Sequence, residues 1–126
     1  MSYKHILLID DDVDDQEIFL TALAEVTHSV TFTALSSAVD ALSQLINRHV
    51  VPDLIFLDLN MPVMTGQQFL GEIKKKDELM HIPVIVLSTT SHQPTIEHTK
   101  ALGAIDFITK PDKFNDLINV LKSIMH

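Results

Sequence analysis

Cysteine is absent from this sequence, which excludes a disulfide framework and a thiolate metal site. Basic residues are few: 9 Lys and Arg stand against 17 Asp and Glu, a net charge of -8. That balance argues against nucleic acid as a direct ligand, because its phosphates would be repelled. It suits solubility, a bound cation and the steering of a basic protein partner. No apolar run is long enough to span a bilayer. The N-terminal Met1-Ser2-Tyr3-Lys4-His5 lacks a signal-peptide pattern, because the apolar run after Lys4 is short and ends in acids. A cytoplasmic protein without a membrane partner is expected. A Gly-rich Lys-Ser/Thr loop for a nucleotide is missing, and so are internal repeats and low-complexity stretches.

What is present is a chain of 126 residues, 46% hydrophobic, enough for one domain over residues 1–126 with a real core and no linker or second domain. It is organised around Ile6-Leu7-Leu8-Ile9, which runs straight into Asp10-Asp11-Asp12. Four consecutive branched or aliphatic residues fit a strand buried on both faces of a parallel sheet. The acids then fall at its C-terminal end, where open α/β sheets place ligands. Carboxylates held about 4 Å apart at an effective dielectric near 20 repel by roughly 4 kcal/mol per pair. The run alone is compatible with a cation site and equally with a solvated acidic cap for the next helix.

Apolar runs and helical patterns alternate from there on. The first strand is Lys4 to Ile9. A helix over Asp14 to Val26 carries Ile18, Phe19, Ala22, Leu23 and Val26 on one stripe. Asp14, Asp15 and Glu17 lie in its first turn, where the helix dipole favours anions, and no metal role is read into them. Val30 to Leu35 alternates apolar with Thr, as an edge strand with a wet face does. Ser36 or Ser37 caps a second helix with Ala38, Ala41, Leu42, Leu45 and Ile46 inward. Leu54 to Leu57 is an apolar third strand ending on Asp58. Thr65 opens a third helix, with Gln68 placed for a capping box, Phe69, Leu70 and Ile73 inward, and Lys74-Lys75-Lys76 solvated. Val84 to Leu87 is the fourth strand, closed by Ser88-Thr89-Thr90. Pro94 to Leu102 is the weakest helix, with Gly103 as its stop. Ile105 to Ile108 is a mixed strand ending at Thr109-Lys110-Pro111. The last helix, Asp112 to Met125, repeats Phe114, Leu117, Ile118, Leu121 and Ile124.

Strict alternation predicts an α/β fold: a parallel five-stranded sheet with helices on both faces and right-handed crossovers. The apolar first, third and fourth strands belong at the centre and the mixed second and fifth at the edges. This agrees with the order 2-1-3-4-5 of flavodoxin-like doubly wound (βα)5 folds. Its crevice then lies between the first and third strands, lined by Asp10, Asp11 and Asp58, with Ser88 and Lys110 at the ends of the fourth and fifth. Oxygen ligands of this kind suit a hard cation such as Mg2+. A carboxylate beside Mg2+ and an ammonium can act as a nucleophile toward phosphorus.

Asp10-Asp11 after the first strand, Asp58-Leu59-Asn60-Met61-Pro62 with Gly66 after the third, Ser88 after the fourth and Lys110-Pro111 after the fifth resemble the receiver domain of bacterial two-component response regulators. The resemblance covers nearly the whole chain and implies specific roles. Asp58 would accept a phosphoryl group from a histidine kinase or histidine phosphotransfer protein. Asp10, Asp11, Asp58 and the Asn60 carbonyl would hold Mg2+, Asp11 directly and Asp10 through water. Lys110 would pair with the phosphoryl oxygens. Ser88 would turn inward to the phosphoryl group and Phe107 would follow, reshaping the face of the fourth helix, fifth strand and fifth helix for a downstream protein target. The protein would be a monomer or weak dimer, not an enzyme beyond its own phosphorylation and dephosphorylation.

The departures also have consequences. Ser88 stands where Thr is frequent and keeps the hydroxyl. Thr89 replaces a small residue and narrows access to Asp58. Phe107 replaces a frequent Tyr and lacks its hydroxyl. Asn60 and Thr90 occupy positions that tune dephosphorylation. Two other readings compete: a scaffold that never takes up phosphate, and a Mg2+-dependent phosphohydrolase. The intact acids and Lys110 oppose the first. Asn60, in the place of a general acid, opposes the second.

Overall fold

Five strands and five helices alternate along the chain in the computed structural model, which describes residues 3–125. The expected domain ends, Met1 and His126, and the N-terminal Ser2 lie outside the described residues. The elements are β1 (His5–Ile9), α1 (Val13–Val26), β2 (Thr31–Leu35), α2 (Ala38–Ile46), β3 (Leu54–Leu57), α3 (Gly66–Lys74), β4 (Val84–Ser88), α4 (Gln93–Ala101), β5 (Asp106–Thr109) and α5 (Phe114–Ile124). All strand pairs are parallel, in the order β2-β1-β3-β4-β5. This is the flavodoxin-like arrangement expected from the alternation.

The period-2 alternation of strand side chains divides the core between the two faces. Leu7, Ile9, Ile55, Leu57, Val84 and Val86 pack with α2 and α3 through Ala41, Leu45, Phe69, Leu70 and Ile73. Ile6, Leu8, Leu54, Phe56, Ile85 and Leu87 pack with α1 and α5 through Phe19, Leu23, Leu117 and Leu121. Phe19 sits edge-on to Phe56, with ring centroids 4.9 Å apart. β1, β3 and β4 are buried on both faces, which is why they read as unbroken apolar runs.

Local signals set most helix starts. Asp12 caps α1, its side chain accepting from the backbone N–H groups of Asp14 and Asp15. Ser37, rather than Ser36, caps α2. Thr65 and Gln68 form the reciprocal capping box of α3. Gly103 ends α4 with φ of 115°, a conformation other residues adopt only under strain.

Several expectations require correction. Periodicity puts Ile18, Ile46 and Phe114 on inner stripes, but they are 48%, 44% and 40% exposed. Ile18 and Ile46 each adjoin a better-centred residue, Phe19 and Leu45, and a one-residue step turns a side chain about 100° round the helix. Phe114 is the first residue of α5, and with Ile18 it lines a groove between the two helices. Ile105 precedes β5 and is exposed. Lys74 is not simply solvated: its Nζ donates to the carbonyls of Met80 at 3.0 Å and Ile82 at 3.2 Å. Partial desolvation of its ammonium lowers its pKa.

Candidate phosphoacceptor site

The sheet ladder continues into the residues that carry the chemistry. The Asp10 N–H donates to Leu35 O at 3.1 Å, the Asp58 N–H to Ile9 O at 2.9 Å, and the Lys110 N–H to Ser88 O at 2.7 Å. Each functional side chain therefore starts from a backbone position fixed by the neighbouring strand. Gly66 tightens the loop after Asp58. Its N–H donates to Leu59 O at 3.0 Å, and a Cβ there would run into the Asp58 carbonyl and lie 2.8 Å from Leu59 Cα.

Three carboxylates from two strands converge. Asp10, Asp11 and Asp58 each offer an oxygen, all within 4.8 Å of one another. Asp10 and Asp58 are 2% and 7% exposed, whereas Asp11 faces solvent. Lys110 reaches in from the end of β5. Its Nζ lies 3.0 Å from Asp10 Oδ2, 2.9 Å from Asp15 Oδ2 and 3.8 Å from Asp58 Oδ1.

The electrostatics follow from burial and crowding. Desolvation pushes the Asp58 carboxyl up to about 6, with the Lys110 charge opposing the rise and the Asp10 charge adding to it. Desolvation likewise raises Asp10, against its bonds to the Asp12 N–H and to Lys110. Burial alone would lower Lys110, but hydrogen bonds to Asp15 and Asp10 and the charges of Asp10 and Asp58 raise it. A single ammonium shared among three acids leaves a negative excess in a buried crevice. That donor set, three converging carboxylates, fits a hard divalent cation.

The remaining expected residues lie around this cluster. Ser88 is fully buried at the end of β4, its Oγ accepting from the Thr90 N–H at 3.3 Å. Asn60 and Thr89 are exposed and Thr90 is half-buried. Thr89 lines, with Asp10, Asp15 and Lys110, a groove of about 430 Å³ between α1 and α5 whose apolar wall includes Ile18, Phe19, Phe114 and Leu117. Phe107 is half-buried against the α2/α3 side of the core. Asp15 is the residue that sequence reasoning missed. Its place in the first turn of α1 was fully explained by the helix dipole, and its pairing with Lys110 depends on how α1 packs beside α5.

Comparison with known proteins agrees with this geometry. The family model described as "Response regulator receiver domain" matches residues 6–122. The chain belongs to the response regulator receiver family. It is 38% identical over 124 residues to the two-component response regulator ORR8 of Oryza sativa subsp. indica, covering 98% of this chain and 100% of that protein. The phosphorylated cyanobacterial phytochrome response regulator RcpA shares 33% identity and superimposes with a TM-score of 0.88, covering 98% of this chain and 91% of that one. The Mn(2+)-bound form of response regulator Rcp1 shares 30% identity at a TM-score of 0.84, over 96% and 91%. Among the described residues of this receiver domain no helix is long and apolar enough to cross a membrane.

Proposed function

We propose that this receiver domain is a phosphoacceptor in a two-component relay, with Asp58 as the residue modified. One observation carries the reading: a nearly buried carboxylate clustered with Asp10 and Asp11 and 3.8 Å from the Lys110 ammonium. An Asp58 oxygen attacks the phosphorus of a phosphohistidine on a histidine kinase or histidine phosphotransfer protein. The P–O bond forms as the P–N bond breaks, and its electron pair leaves with the imidazole. Lys110 stays protonated and offsets charge on the phosphoryl oxygens. Asp10, Asp11, Asp58 and the Asn60 carbonyl would hold Mg2+, which when bound supplies charge neutralisation and orientation for the phosphoryl group. A Mn(2+)-bound relative and the donor set here both support that assignment.

The product is an added charge of about -1.5 to -2 beside Ser88 and Lys110. Movement of the Ser88 hydroxyl toward it, followed by Phe107, shifts the population of the α4-β5-α5 face that a downstream protein reads. Thr89 restricts the approach, and Asn60 and Thr90 tune loss of the phosphoryl group. The chain then acts in the cytoplasm and catalyses only its own phosphorylation and dephosphorylation. The test is incubation with Mg2+ and acetyl phosphate followed by intact mass. A single phosphoryl adduct is expected, lost on chelation of Mg2+ and in Asp58→Asn. An adduct retained by Asp58→Asn overturns the assignment.

A further inference from the structure

An ammonium has three N–H donors. Lys110 directs two of them at Asp15 Oδ2, 2.9 Å away, and Asp10 Oδ2, 3.0 Å away. Asp58 Oδ1, at 3.8 Å, lies beyond hydrogen-bond reach. The shortest bond of this ammonium therefore goes to an acid of α1 that is neither in the metal cluster nor the proposed phosphoacceptor.

Asp15 is held where it stands. Asp12 Oδ1 accepts from the N–H groups of Asp14 and Asp15 at 2.9 and 3.2 Å. Next to it, Gln16 Nε2 donates to Asp10 O at 2.6 Å and Ser36 Oγ at 3.0 Å. The first turn of α1 is thus tied to both β1 and the loop after β2, so Asp15 does not follow the ammonium when it moves. Its side chain is 39% exposed, against 3% for Asp10. Water can solvate Asp15 when the ammonium leaves, whereas uncovering Asp10 would strand a buried charge.

We propose that Asp15 is a positioning residue that draws the Lys110 ammonium toward α1 in the unphosphorylated protein, and that phosphorylation of Asp58 requires the ammonium to leave it. This inference rests on the phosphoacceptor reading. Asp15 favours the unphosphorylated state through a contact the phosphorylated state gives up. It also holds the ammonium 3.8 Å from Asp58 Oδ1, outside hydrogen-bond reach of that one oxygen of the metal set, while Asp10 Oδ2 keeps its 3.0 Å bond to Lys110.

The experiment compares Asp15→Asn with Asp14→Asn, which removes the same charge from the same helical turn, and with Asp15→Glu, which keeps the acid. Magnesium alone is titrated into each by calorimetry. The rate of adduct formation from acetyl phosphate is then followed by intact mass at saturating Mg2+. In Asp15→Asn the adduct is expected to form roughly two- to fivefold faster and Mg2+ to bind roughly two- to fivefold more weakly, the range of one partly exposed charge pair. Asp14→Asn should move neither comparably, and Asp15→Glu should return both toward wild type. Asp15→Asn matching Asp14→Asn in both measurements overturns the inference. Slower adduct formation in Asp15→Asn also overturns it, because Asp15 would then align Lys110 for transfer. If wild type forms no adduct, the phosphoacceptor reading fails. The Mg2+ titration still decides Asp15, an affinity unchanged from wild type counting against it.

Discussion

Asp58, the proposed nucleophile, meets two opposing demands in the metal-free protein: attack requires the ionised form, and burial disfavours it. Its carboxyl titrates near about 6 instead of the ordinary 3.8. The folded state therefore holds a proton between those values that the unfolded chain releases. The sign follows: the stability associated with this raised pKa is fully present below about 3.8 and is lost as pH rises through about 6. Removing the charge should then stabilise the metal-free protein at high pH. Asp58→Asn is expected to raise unfolding free energy by on the order of 2 kcal/mol at pH 8 in chelator, with the gain shrinking toward pH 4. Urea denaturation at the two pH values measures this, and a gain independent of pH would contradict it. Val63 is a second strained position. It is a β-branched residue at φ of 68°, 94% exposed, in the loop after Asp58. Asn tolerates that region and Val does not. Val63→Asn should add roughly 1 kcal/mol to stability in the same denaturation assay, and a loss of stability would show that the loop needs the valine. At this scale the sequence discloses Asp10, Asp11, Asp58 and Lys110 as candidates, because each falls just past the C-terminal end of a strand. It conceals Asp15 and Lys74. The first has a sufficient local explanation in the helix dipole, and the second finds its partners, the Met80 and Ile82 carbonyls, through a long flexible stem.

The elements are legible where a local signal defines them. Asp12, Ser37 and the Thr65–Gln68 box mark three helix starts through side-chain bonds to their own first turns. Boundaries still drift by a residue or two: α1, though capped, begins at Val13 rather than Asp14. α4 and α5 begin without a side-chain cap, at Gln93 and Phe114 rather than Pro94 and Asp112. The inner stripes miss at Ile18 and Phe114 because those residues face a groove between α1 and α5 and not the sheet, a distinction that periodicity does not encode. α3 reaches the site through its first residue, Gly66, which packs directly on the Asp58 loop. Gly66→Ala should destabilise the fold by roughly 1–3 kcal/mol through overpacking. It should also slow phosphorylation of Asp58, because the loop must shift to admit the Cβ. Thermal melting together with the adduct rate tests this, and an unchanged rate would show that the loop relaxes away from the site.

For the whole molecule, the parallel sheet explains why residues far apart in sequence share one crevice. Parallel pairing aligns the C-terminal ends of β1, β3, β4 and β5 along one edge, so Asp10, Asp58, Ser88 and Lys110 arrive together although they are far apart in sequence. The order β2-β1-β3-β4-β5 was readable because burial on both faces makes a central strand apolar throughout, while an edge strand keeps polar residues. The extended charge field, -8 in total, adds a general attraction for a divalent cation to the local one. The claim on which the account depends is that this crevice makes Asp58, among seventeen acids and seven histidines, the residue that takes the phosphoryl group. Tandem mass spectrometry of peptides from protein treated with Mg2+ and acetyl phosphate reads that directly. One modified position, Asp58, is expected, and it is absent when Mg2+ is chelated. A phosphoryl group on a histidine or on any other acid, or one that forms equally well in chelator, would contradict it.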